Sequence, residues 1–332
     1  MLLWLSVLYL GWSLVTIPYL AWGGGLSASY HLRSVITGAR EFCGMLGIIA
    51  AAVLPALLPG LLGPAMRVLA DVISVLLPAA ALLLLLGVPE PVRAPARPRG
   101  GAWRKLWRNR PFRLLMAATL LGGAGTAVNG TLVIFYLQQM NLGDHKELLL
   151  AYLLSAMAGI PLWVWLAGRI GKHRALCAAS FWGCAWFALV LFIPPGAYWP
   201  VLIVNVMSGC TIGASPVLGA SMAADVIDWD ALRSRQDRSA LFFSLWSMAT
   251  KFTAALGILA LPLVVALGFN PHGANTAQGH VALTAVYCLV PIVLWLSAVS
   301  LLWNFPIDLA RQGRISAWRS KQAVLFFTRI QL

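Results

Sequence analysis

The chain has 332 residues, 60% of them apolar and only 10% charged, with a mean hydropathy of +0.82. Soluble domains carry roughly a quarter charged residues, so this chain could not cover its own surface against water and falls in the membrane class. The formal net charge of +14 would suit a nucleic-acid partner. The cations, however, sit in short clusters between apolar runs, the pattern that fixes orientation across a bilayer, and no nucleic-acid partner is expected.

The N-terminal stretch MLLWLSVLYLGWSLVTIPYLAW has no basic start and stays apolar for longer than the about 7–15 residues of a signal-peptide core. It reads as a spanning helix from the first residue. Nine segments are long enough to span, near 2–22, 35–62, 66–88, 113–139, 148–167, 174–194, 198–223, 240–268 and 281–304, since about 20 residues at 1.5 Å each cross the hydrocarbon layer. Pro18, Pro55, Pro161, Pro216, Pro262 and Pro291 fall inside them. Proline is tolerated in lipid where neighbouring groups satisfy the freed carbonyls, and it marks bends around cavities. An odd number of spans puts the termini on opposite faces. Nearly all of the 24 lysines and arginines then collect on one side, against only Arg67 and Lys146 on the other. That bias places the C-terminus in the cytoplasm and Met1 outside.

A basic linker at 89–112 divides the chain into three helices (1–88) and six (113–306), with a cytoplasmic tail over 307–332. Trp103 and Trp107 in the linker share a helix face beside Arg104, Lys105 and Arg108. The segment is either a short helix in the headgroup region or a disordered basic loop. Cys43, Cys177, Cys184, Cys210 and Cys288 lie inside apolar stretches without metal-binding spacing, so no metal is expected. The five histidines lie in loops, with no H-x-x-x-H pair and no Gly-x-Ser-x-Gly elbow. Nothing in that set suggests an enzyme or a cofactor.

An ionisable side chain in the hydrocarbon costs about 2.5–3.5 kcal/mol on insertion scales, so it normally faces a polar cavity or a partner. Lys251 lies deep in its span, and Arg40 about two turns into the second. Glu41 follows Arg40, but adjacent helical residues point about 100° apart and need not pair. Thr16, Asn129, Tyr136, Asn205, Thr211 and Ser215 are polar residues within spans that line a cavity or bond between helices. Trp246, one turn before Lys251, is a stacking platform for a ring or a lipid-facing tryptophan. Asp225, Asp228 and Asp230, at the cytoplasmic end of a span and followed by Arg233, Arg235 and Arg238, read as a charge-paired gate or loop brace rather than a metal site.

The stretch Ile17-Pro-Tyr-Leu-Ala-Trp-Gly23, with Leu26-Ser27, Tyr30, Arg33 and Ala39-Arg40-Glu41, resembles the glycoside–pentoside–hexuronide:cation symporters, the melibiose permease-like branch of the major facilitator superfamily. The block Ala224-Asp-Val-Ile-Asp-Trp-Asp230, Arg233, Leu241-Phe-Phe-Ser-Leu-Trp246 and Lys251 is similar to the same family. So are Gly268-Phe-Asn-Pro271 and the loop Gly168-Arg-Ile-Gly-Lys-His-Arg174. The resemblance implies an all-α bundle of about nine transmembrane helices corresponding to helices four to twelve of a twelve-helix fold, with the first three lacking. It implies a monomeric secondary transporter in a bacterial inner membrane, coupling a sodium ion or proton to a sugar or glycoside. A lysolipid or other solute, or a non-transporting remnant, are the alternatives. Arg40, Thr16, Lys251, Trp246 and Asn129 become the implied substrate contacts, Lys251 and Thr16 the cation-coupling residues, and Asp225, Asp228, Asp230 and Arg233 the gate. The chain departs from the family at Thr16, where a cation-site carboxylate is usual, at Leu20, where a tryptophan is usual, and at Gly25 and Ser29, where acids are usual. Proton coupling and uncoupled transport stay open beside sodium coupling.

Overall fold

The computed structural model describes residues 2–26, 29–57, 62–88, 106–140, 146–234, 236, 238–271, 273, 275–307, 311 and 313. It is all-helical: α1 (Leu2–Gly25), α2 (Tyr30–Leu57), α3 (Leu62–Gly87), α4 (Arg110–Gln139), α5 (Lys146–Ile170), α6 (Lys172–Ala188, continued by a 3-10 turn over Leu189–Phe192), α7 (Tyr198–Gly209), α8 (Ala214–Ser234), α9 (Ser239–Gly257), α10 (Ala260–Ala266) and α11 (Ala277–Leu302). Among the described residues, eight helical segments from His31 onward are long and apolar enough to cross a membrane, and α1 adds 24 residues with no charged side chain. Trp103 and most of the tail lie outside the described residues.

The packing follows from where small and large side chains fall. α4 packs most extensively against α11 and α9, α1 leans on α9, α2 rests against α5 and α8, and α3 lies at the edge against α2. Large apolar side chains on α1 and α3, from Trp4 and Trp12 to Leu83 and Leu86, are exposed. Helices apolar all round are at home in lipid, not in water. Two hydrophobic clusters brace the ends of the larger bundle. Near the basic loops, Phe112 meets Phe242 edge to face at 4.7 Å; at the opposite end, Tyr136 stacks on Tyr287 at 4.5 Å.

The expected span 198–223 is not one helix. It breaks at 210–213 into α7 and α8, and α8 runs on to Ser234. The break is stabilised because indole N–H groups take up carbonyls near it: Trp163 donates to the Cys210 carbonyl at 2.8 Å and Trp182 to that of Met207 at 3.0 Å. The span 240–268 likewise divides into α9 and α10 around Ile258 and Leu259. Between α5 and α6 the turn is a single residue, Gly171, with φ 93, a conformation that a side chain disfavours.

The break also depends on Gly159, where a Cβ would stand 1.9 Å from the Cys210 carbonyl oxygen. Gly159→Val is expected to lower stability by about 1–3 kcal/mol or more through overpacking. Gly44→Ala, where a Cβ meets nothing within 4 Å, is expected to be neutral or slightly stabilising. Thermal unfolding of the two purified variants checks the contrast.

Candidate functional site

Helix α2 begins at Tyr30, so Arg33, expected in a loop, lies in its first turn and is only 2% exposed. Arg33, Ser34, Thr37 and Gly38 are all buried and occupy one face, as i, i+1, i+4, i+5 spacing dictates. Gly38 permits the approach to α5 and α8: its Cβ would come within 2.9 Å of Val164 and 3.8 Å of Val217. Ser34 and Ser221 hydroxyls meet at 3.1 Å. Below them the Arg33 guanidinium donates to Asp225 at 3.2 Å and also pairs with Asp228. From the far side Lys172, placed at the start of α6 by the Gly171 turn, donates to the other Asp225 oxygen at 2.6 Å. Two cations and two carboxylates thus form a buried, charge-balanced quartet that ties α2 to α6 and α8.

A second cluster lies beside it. Asp230 accepts from Asn109 at 3.3 Å and pairs with Arg238 at 3.4 Å, while Arg238 also donates to Gln236 at 2.7 Å. Arg233, grouped with these acids on sequence grounds, stands apart: it is exposed, with its guanidinium 4.9 Å from the centre of the Trp229 ring. Arg33 and Lys172 are the partners that sequence reasoning passed over. Both sit at span ends, where a buried cation and an orientation-setting one look alike.

Toward the middle of the bundle lies a cavity of about 720 Å³. Thr16, Arg40, Asn129, Trp246 and Lys251 all line it, as do Thr211 and Ser215. Tyr136 and Asn205 do not. Lys251 lies in the second half of α9 and its ammonium donates to the Ser13 hydroxyl of α1. Trp246 packs over Gly219 of α8, whose Cβ would touch the indole at 3.3 Å. Arg40 and Glu41 do pair, with nitrogens at 2.7 and 3.2 Å from one carboxylate oxygen. Both side chains are long enough to bridge the angular separation of neighbours. Among the described residues Glu41 is the one carboxylate on this wall, with Arg40 and Lys251 the two cations. Among the described residues no group of three or more His, Cys, Asp or Glu is arranged to hold a metal ion.

Residues 1–309 match the sequence profile described as "MFS/sugar transport protein". The chain belongs to that family of the major facilitator superfamily. Relatives include the sodium-dependent lysophosphatidylcholine symporter 1 of Gallus gallus, 32% identical over 170 residues, which cover 50% of this chain and 32% of the relative. The Mus musculus symporter of the same name is 28% identical over 251 residues, covering 72% and 47%. The Mus musculus sphingosine-1-phosphate transporter MFSD2B is 32% identical over 209 residues, covering 58% and 41%. The matches thus span less than half the length of each of these relatives. The superfamily expectation is met at that level, while the relatives' names speak of lysolipids rather than of melibiose permease-like sugar carriers.

The quartet sets a stability test. Removing one member of a buried ion pair costs about 3–5 kcal/mol because it strands the other. Lys172→Met is therefore expected to destabilise the purified chain by about that much, and adding Asp225→Asn to recover most of the loss. Equilibrium unfolding in detergent measures both; a single variant as stable as the double would remove the quartet from the account.

Proposed function

We propose that this chain forms part of a cation-coupled symporter for a single-chain amphiphile with a phosphate-bearing head, a lysolipid-type solute rather than a sugar. The observation that carries this reading is the wall of the main cavity, where Lys251, the Arg40–Glu41 pair and the indoles of Trp12, Trp246 and Trp295 stand in a surface made mainly of carbon. A sugar carries a hydroxyl on nearly every carbon, and each one left without a partner on leaving water costs about 1–3 kcal/mol. A phosphate needs only a few strong donors, and an alkyl chain needs none. The names of the relatives, two kinds of lysolipid carrier, support the same class.

In this reading Lys251 and Arg40 receive the phosphate, Arg40 by exchanging the Glu41 carboxylate that holds two of its nitrogens for paired phosphate oxygens. Trp246 packs on the substrate, and Thr16 and Asn129 hydrogen-bond at the wall. Thr16 with Lys251 makes up the coupling region; the relatives described as sodium-dependent support a cation there. The basic end faces the cytoplasm, as the charge bias dictates. Asp225, Asp228 and Asp230 with Arg33, Lys172 and Arg238 are the cytoplasmic gate, which breaks and re-forms as the two halves rock about the cavity. Arg233 borders this gate from its place on Trp229.

Binding tests the substrate class. With the purified chain in lipid nanodiscs, a fluorescent lysophosphatidylcholine is expected to bind saturably. Arg40→Ala and Lys251→Ala are each expected to weaken it about tenfold or more, as loss of a charge-assisted hydrogen bond worth about 1.5–3 kcal/mol requires. Competition by melibiose but not by unlabelled lysophosphatidylcholine would return the reading to a sugar.

A further inference from the structure

Among the described residues Glu41 is the one carboxylate that lines the main cavity, and its side chain is half-buried. Arg40 bonds to it through Nη2 at 2.7 Å and Nε at 3.2 Å, and both bonds fall on the same oxygen, Oε1. The second oxygen, Oε2, has no partner among the described residues. The other titratable side chains on this wall are Lys251 of α9, Tyr152 of α5 and Cys177 of α6. Helices α1 and α8, which also pack against α2, add none to it among the described residues, and α3 does not reach it.

Once a phosphate draws Arg40 away, Glu41 is left as a half-buried carboxylate without its cation. An apolar surround strongly disfavours that state, and the uptake of a cation relieves it. Sodium fits this wall poorly. It needs several oxygens at once, and carriers with broken helices supply them from unwound carbonyls. Here the carbonyls at the break between α7 and α8 are already acceptors: that of Met207 from Trp182, that of Ser208 from Thr211 and that of Cys210 from Trp163. No second carboxylate among the described residues joins Glu41 on the wall, and the Lys251 ammonium repels a metal ion. A proton needs a single lone pair, and Oε2 offers one.

We propose that Glu41 is the proton carrier of the symport cycle, ionised while Arg40 holds it and protonated while Arg40 holds the phosphate of the solute. This rests on the lysolipid reading and adds the coupling ion and its seat, a proton where the relatives are described as sodium-dependent. The proton leaves water on the face where the solute enters and forms an O–H bond at Oε2. That bond breaks when the phosphate departs and the guanidinium pairs with the carboxylate again, and the proton passes to water on the opposite face. One proton thus accompanies each solute, a task to which carboxylates inside membranes are suited.

The test uses the purified full chain in nanodiscs with a fluorescent lysophosphatidylcholine, whose phosphodiester has no proton to exchange near neutral pH. Mixing the two in weak buffer with a pH-sensitive dye is expected to show proton uptake in step with binding. Because the bound form holds the extra proton, affinity rises as pH falls, by up to about tenfold per pH unit. Replacing sodium by potassium is expected to leave the affinity unchanged. Glu41→Gln, which keeps the shape but cannot ionise, is expected to bind the solute with neither proton uptake nor pH dependence. The proton count in the parent needs no variant: binding without uptake, or binding that requires sodium, would overturn the proton and leave the lysolipid reading in place. Uptake that survives in Glu41→Gln would overturn the assignment to this residue. Failure of the parent to bind the solute at any pH would overturn both readings.

Discussion

Four charges held away from solvent organise this molecule. Arg33, Lys172, Asp225 and Asp228 balance one another in sign, and they bring together three helices, α2, α6 and α8. Taking such groups out of water is expensive, and their attraction offsets that cost only with close geometry and further hydrogen bonds. The surrounding sequence provides it. Gly38 lets α2 approach α5 and α8, the Gly171 turn aims Lys172 inward, and α8 extends past the expected end of its span to carry both aspartates. A quartet of this kind contributes less to net stability than to the choice of one arrangement among several. That is the property a switching contact needs.

The cavity follows from the same packing. It lies between the aromatic cluster near the basic loops and the stacked tyrosines of the opposite end, and the break between α7 and α8 borders it at Ser208, Thr211 and Ile212. Interrupted helices leave carbonyls without helical partners, and two tryptophan N–H groups take up neighbouring ones. The ionisable groups that penetrate farthest into the apolar region, Arg40, Glu41 and Lys251, all open onto this space, as the cost of charge in hydrocarbon requires.

Much of this was legible in the sequence. Composition placed the chain in a membrane, and the length of its apolar runs located most of its helices, though not the breaks within 198–223 and 240–268 or the extension of α8 to Ser234. The rule that a charge in a span seeks a cavity picked out Arg40 and Lys251, which do share one with Thr16, Asn129 and Trp246. Three features were not legible. The break at 210–213 is met by indole N–H groups from other helices, which no local pattern encodes. Arg33 and Lys172 resemble ordinary orienting cations until the aspartates of α8 come beside them, and Arg233, the nearest cation in sequence, points instead to Trp229. The balance of carbon and polar groups on the cavity wall depends on which way each side chain turns, and the expectation of a sugar came from the family resemblance rather than from any residue pattern.

The gate proposed above has the quartet close the main cavity at the basic end. It is tested most directly by cysteine accessibility, in a chain whose five native cysteines are replaced. With Thr250→Cys as reporter, a charged, membrane-impermeant thiol reagent is applied from the face bearing the basic loops. The account predicts negligible labelling while the quartet is intact, and labelling at least about tenfold faster once Arg33→Gln strands the Asp225 and Asp228 carboxylates, at a cost of about 3–5 kcal/mol. Equally rapid labelling with the quartet intact would contradict it.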